Sequence, residues 1–199
     1  MIESETEKSE TTNSSVLNVD YVLLDAPAIA ERVKELAEEI MNSYEPEDEI
    51  ILLCLLKASF IFCADLSRAI ERPHEIDFMA VSSYGRSTES TGSVEIVHDL
   101  QRDIFGRHVL IIEDIIDSGY TLSKVTQILQ TRHPASLRIC TLLDKPERRE
   151  VEVPVDFVGF AIPDEFVVGY GLDFDEKYRN LPYVAVLKDS VFEQLFIGK

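Results

Sequence analysis

The chain has 199 residues, is 45% hydrophobic, and carries 37 acidic against 19 basic side chains, a net charge of −18 at pH 7. This length and apolar content fit a globular chain with a sizeable core, and the charge excludes nucleic acid as a partner because the two would repel. No apolar run approaches a membrane span, and the opening MIESETEKSETTNSS lacks the basic and apolar segments of a signal peptide, so a cytoplasmic protein with no membrane partner is expected. A small polyphosphate stays open as a ligand, since a few local cations or Mg²⁺ reverse the potential at one site. Cys54, Cys63 and Cys140 sit inside apolar stretches without metal-ligand spacing, which reads as buried and reduced.

In chain order, residues 1–18 are acidic and rich in Ser and Thr and read as a disordered tail, which leaves 19–199 as a single domain. Ile29, Val33, Leu36, Ala37, Ile40 and Tyr44 recur at helical spacing, with Asp25 and Pro27 as start signals. Residues 49–56, EIILLCLL, read as a buried strand; Lys57, Ala58 and Ser59 turn the chain into an apolar helix over about 60–70. A strand over 75–82, a polar loop over 83–92 and an alternating strand over 94–98 read as a long hairpin, its tip either a lid or simply disordered.

Residues 109–112, VLII, form a second continuous apolar run, closed by Glu113 and Asp114 where a buried strand would reach solvent. Ile115 and Ile116 follow, then Asp117, Ser118, Gly119, Tyr120 and Thr121, then a helix with Leu122, Val125, Ile128 and Leu129 on one face, ended by His133 and Pro134. Strands over 136–143, 155–160 and 183–187 complete the set. Between the last two lies AIPDEFVVGYGLDFDEKYRN, its charges and aromatics interleaved.

Alternating strands and helices predict an α/β fold, a mainly parallel twisted sheet flanked by helices on both faces. Ligands in such sheets bind at the carboxyl ends of the strands, where Lys57, Glu113, Asp114, Asp117 and Lys145 should converge. The turn at 117–121 offers backbone N–H groups and the positive end of a helix dipole, which suits a phosphate. The neighbouring acids need other customers: sugar hydroxyls, a cation or a proton. A phosphorylated sugar satisfies both halves.

VLIIEDIIDSGYTL resembles the phosphoribosyl-pyrophosphate-binding motif of the type I phosphoribosyltransferases. SSYGRSTESTG resembles the flexible loop of that family's hypoxanthine-guanine branch, and LLKASFIFCADL its pyrophosphate turn. LLDKPERR and IPDEFVVGYGLDFDEKYRNLPY resemble the branch's base-binding segments. The similarity runs from roughly residue 20 to the C-terminus. It implies a core sheet with a small hood region and a flexible lid hairpin. It implies purine salvage: Mg²⁺-dependent transfer of phosphoribose from phosphoribosyl pyrophosphate to a 6-oxopurine, by a homodimer or homotetramer.

The resemblance also implies roles. Asp117 would meet purine N7 and act as general acid/base. Glu113 and Asp114 would hold the ribose hydroxyls with Mg²⁺ close by, and Asp173 a second Mg²⁺. Asp117, Ser118, Gly119, Tyr120 and Thr121 would wrap the 5′-phosphate. Lys57, the Ala58 backbone and Arg179 would meet pyrophosphate. Lys145 would donate to purine O6, Phe166 would stack on the base, and the Val167 backbone would read its 2-position. Ser83 and Tyr84 would close as the lid. Ala58 departs from the family pattern, which usually has Gly there, and this weakens the case for that backbone contact. Arg148 and Arg149 read as surface charge, and the four histidines show no pairing. A xanthine-preferring transferase and a non-catalytic phosphoribosyl-pyrophosphate sensor stay open as alternatives.

Overall fold

The computed structural model describes residues 18–83, 94–188 and 190–191. Nearly all of the segment read as an acidic tail lies outside the described residues, as does Tyr84. The elements are β1 Val19–Leu24, α1 Ala26–Asn42, β2 Ile50–Leu56, α2 Phe60–Ala69, β3 Glu75–Ser83, β4 Val94–His98, β5 His108–Ile116, α3 Tyr120–Gln130, β6 Ser136–Asp144, β7 Phe157–Ala161, β8 Val167–Val168 and β9 Val184–Leu187. A 3-10 turn, Pro146–Arg148, follows β6.

Six strands form the main sheet in the order β4-β3-β2-β5-β6-β7, all parallel except for the antiparallel β3–β4 pair. The central strands show why their sequences are continuously apolar. Ile50, Leu52, Cys54, Leu110 and Ile112 pack with the buried faces of α1 and α2, while Ile51, Leu53, Leu55, Val109 and Ile111 pack with α3. A strand covered on both sides has no position for a polar residue. The three cysteines are buried and unbridged, as expected.

Local signals account for the helices. The Asp25 carboxylate accepts from the Ala28 amide at 2.8 Å, and Pro27 stands in the first turn of α1. α3 stops three residues short of His133. The amides of Thr131, Arg132 and His133 donate to carbonyls three residues back, so the last turn tightens before Pro134.

Two features differ from the sequence expectation. Glu113 and Asp114 do not terminate β5; the ladder with β6 continues through Glu113–Thr141, Ile115–Leu143 and Ile116–Asp144. The acids are therefore set in a strand rather than on a loop. Second, residues 184–187 leave the main sheet. They form an antiparallel three-stranded sheet, β1-β9-β8, over its own small core of Val19, Val168, Leu181, Ala185 and Leu187. This is the hood. β8 has only two residues, and β1 exposes Tyr21 and Val22, so neither is buried on both faces as β2 and β5 are.

Candidate active site

The site assembles at the carboxyl ends of β2, β5 and β6, where three groups of the anticipated residues meet different neighbours. The first surrounds the start of α3. Gly119 is its N-cap, at φ +89°, and being glycine it brings no side chain of its own to cap the first-turn amides. A Cβ at Gly119 would stand 2.6 Å from the Val151 carbonyl, so the position is closed to other residues by both conformation and contact. Glu113, Asp117, Ser118, Gly119 and Thr121 line a hollow of about 130 Å³ over this helix start, with Tyr120 as the first residue of α3. Small side chains, a helix N-terminus and flanking acids are what a sugar phosphate needs.

The second group lies toward the hood. Arg179 donates to the Gly171 carbonyl at 2.9 Å and pairs with Asp173 at 3.0 Å and Glu176 at 3.1 Å. Lys57 reaches the same Glu176 at 3.1 Å across from the β2 turn. That turn carries a cis peptide between Leu56 and Lys57, and the Ala58 carbonyl presses on Gly171 so closely that a Cβ there would sit 2.0 Å away. The turn and the 167–179 segment thus fit as one surface bearing two cations. Asp114 has Arg179 and Asp173 among its charged neighbours.

The third group spans the end of β6 and the start of β8. Lys145, which reads in isolation as a surface lysine, is 5% exposed at the end of β6, its ammonium 3.7 Å from Asp164. Phe166 is half-exposed and meets Phe174 edge to face at 5.7 Å between ring centres. Val167 is buried and pairs with Val186, which fixes the backbone around it. Ser83 ends β3; its side chain and Tyr84 lie outside the described residues.

Sequence reasoning missed Arg148. Its Nε is 3.0 Å from Asp117 Oδ1, and its Nη1 3.3 Å from Asp164. The contact to Asp117 is close but not aligned as a hydrogen bond, and Oδ1 is buried with no other partner among the described residues. The legible signal was Pro146, which opens a tight turn directly after Lys145 and folds Arg148 back over the strand end. Arg149 is likewise engaged, paired with Asp144.

Burial dominates the electrostatics of the two adjacent acids. It pushes Glu113 well above the usual carboxylate range, with Asp114 adding repulsion, and raises Asp114 to about 6. Glu113 Oε2 is buried without a hydrogen-bond partner among the described residues. In the unfolded chain Asp114 titrates near 3.8. Folding therefore takes up a proton between about pH 4 and 6, and this group's contribution falls as pH rises through that window. Its ionisation costs at most about 3 kcal/mol above it. Asp114→Asn should therefore raise Tm relative to the parent protein in EDTA, by a margin that grows as pH rises from 4 through 6. A margin independent of pH in a thermal melt series would contradict this.

Comparison with known proteins agrees with this geometry. The phosphoribosyl transferase domain family matches residues 22–175. The hypoxanthine phosphoribosyltransferase of Buchnera aphidicola subsp. Schizaphis graminum is 58% identical over 165 residues, covering 82% of this chain and 93% of that protein. The hypoxanthine-guanine phosphoribosyltransferase of Mycobacterium avium is 51% identical over 182 residues, 89% of this chain and 90% of its own. Among solved structures, a hypoxanthine phosphoribosyltransferase from Staphylococcus aureus superposes with a TM-score of 0.87 at 45% identity, covering 92% of this chain and 99% of that one. The parallel sheet, the open helix start and these relatives converge: the chain belongs to the phosphoribosyltransferase family, alongside its hypoxanthine and hypoxanthine-guanine enzymes.

Proposed function

We propose that the protein is a purine salvage enzyme that transfers the phosphoribosyl group of 5-phosphoribosyl 1-pyrophosphate to hypoxanthine or guanine, giving IMP or GMP and pyrophosphate. The observation that carries the choice of base is the buried Lys145 at the end of β6. An ammonium there offers only donors, so it rewards a 6-oxo group and leaves a 6-amino group unpaired. The Val167 backbone reads the 2-position, and Phe166 supplies an aromatic face for the ring.

Displacement at the anomeric carbon passes through a state with oxocarbenium character, so the leaving pyrophosphate must be neutralised and the purine proton managed. Lys57, the Ala58 backbone and Arg179 receive the pyrophosphate; Asp117 takes and returns the proton at N7. Glu113 and Asp114 hold the ribose hydroxyls, residues 117–121 the 5′-phosphate, and Ser83 and Tyr84 close the lid. Mg²⁺ fits the donor set: Glu113 Oε2 is an orphaned buried carboxylate oxygen, and Asp114 and Asp173 add hard oxygens. Among the described residues no three-ligand cluster encloses a metal. Mg²⁺ is an ion that one or two carboxylates and substrate phosphates together hold. When bound it offsets charge on the pyrophosphate oxygens.

Lys145→Gln should lower kcat/KM for hypoxanthine about 10- to 100-fold, mostly through KM, and narrow the preference over adenine. An unchanged hypoxanthine-to-adenine ratio would remove Lys145 from base selection.

The domain spans 19–199 after an acidic tail, and the assembly is a homodimer or homotetramer. Ile76 and Phe78 support association: both are exposed, on the face of β3 continuous with the side of β2 that α1 and α2 cover. The location is cytoplasmic, which the unbridged cysteines support. No helix among the described residues is long and apolar enough to cross a membrane.

A further inference from the structure

We propose that Arg148 is a positioning residue for Asp117, holding carboxylate Oδ1 so that the second oxygen faces the purine, and that Asp164 ties this contact to Lys145. The inference rests on the roles given above to Asp117 and Lys145.

Exposure at Asp117 is uneven. The side chain is 45% exposed, yet Oδ1 is buried against Arg148. An unrestrained carboxylate presents either oxygen by rotation. A guanidinium 3.0 Å from one of them breaks that equivalence and leaves the other on the accessible side. The backbone that carries Arg148 is itself anchored beside Asp117: the amides of Glu150 and Val151 both donate to the Ser118 carbonyl at 3.0 Å. The anchor and the acid therefore move as one unit.

Asp164 extends the arrangement. Its Oδ1 receives Arg148 at 3.3 Å and Lys145 at 3.7 Å. The planar fork of Arg148 spans two carboxylates, which a point-charge ammonium does not do in this geometry. Asp117, Arg148, Asp164 and Lys145 thus form a chain of alternating charge. Its two ends are the groups assigned to N7 and O6, which are neighbours on one edge of a 6-oxopurine. The chain sets the spacing between the acceptor for the ring proton and the donor to the oxo group. The Arg148–Asp117 pair is half-exposed and contributes little to folding.

The test is a double-mutant cycle on the full-length protein, with hypoxanthine, Mg²⁺ and phosphoribosyl pyrophosphate as substrates. Arg148→Met keeps the apolar stem and removes the fork. It should lower kcat about tenfold, leave KM for phosphoribosyl pyrophosphate within about twofold, and shift Tm by no more than about 3 °C. On an Asp117→Asn background the same change should cost nothing further. An undiminished loss on that background, or parental kcat in Arg148→Met, would overturn the inference and leave the assignment of Asp117 standing. Parental turnover in Asp117→Asn alone would overturn both. Asp164→Asn gives a second reading: kcat should fall as in Arg148→Met and KM for hypoxanthine should rise, whereas parental values in both would contradict the link to Lys145.

Discussion

Asp117→Asn is expected to lower kcat about 10²- to 10⁴-fold while leaving the affinity for phosphoribosyl pyrophosphate within about twofold of the parent. The substitution keeps the shape of the side chain and the backbone amides of the phosphate turn, so the cradle over α3 survives. What it removes is the capacity to accept a proton. A loss confined to kcat identifies an interaction made as the reaction proceeds, whereas a loss confined to KM would mark Asp117 as a binding group only. The measurement is steady-state kinetics with each substrate varied, accompanied by titration of phosphoribosyl pyrophosphate into the variant. Parental kcat would take Asp117 out of the chemistry.

The second large effect is expected far from the proton. Gly171 has φ +103°, and its missing Cβ would lie 2.0 Å from the Ala58 carbonyl, a backbone atom that no rotamer change can move aside. Its own amide donates to the Arg179 carbonyl at 2.9 Å, and its carbonyl accepts from the Arg179 side chain, so the glycine side of the contact is held in place. Relief therefore falls on the 57–59 turn. Gly171→Ala should cost about 2–4 kcal/mol of stability. It should also raise KM for phosphoribosyl pyrophosphate about tenfold or more by displacing Lys57 and the Ala58 backbone. Urea unfolding and initial-rate kinetics check the two halves. Parental values in both would mean that the turn and the 167–179 segment do not share a surface as described.

The resemblance to a family came from short motifs, and the physics behind them explains what else was readable. β2 and β5 were legible because a strand covered by helices on both faces must be apolar throughout. The start of α1 was legible because Asp25 and Pro27 act locally. The turn at 117–121 was legible for the same reason: glycine, small side chains and a helix start are adjacent in sequence. β8 was not, because it has only two residues, and β1 was not, because its partner β9 lies at the far end of the chain. The burial of Lys145 was also hidden. A lysine is buried only where a distant group offsets its charge, and Asp164 sits beyond the turn and β7. Glu113 and Asp114 were read as the end of a strand because acids usually stop a buried run. Pairing with β6 carried the strand past them, and their raised protonation range follows from that placement. Arg148 passed for surface charge since only the folded turn at Pro146 brings it to Asp117.

Purine salvage is decided by offering the purified protein, with Mg²⁺ and phosphoribosyl pyrophosphate, each of hypoxanthine, guanine, xanthine and adenine in turn, and measuring nucleotide and pyrophosphate released. IMP or GMP should form in equal amount with pyrophosphate, with adenine as the poorest acceptor. No nucleotide from any 6-oxopurine, or adenine as the best acceptor, would contradict it.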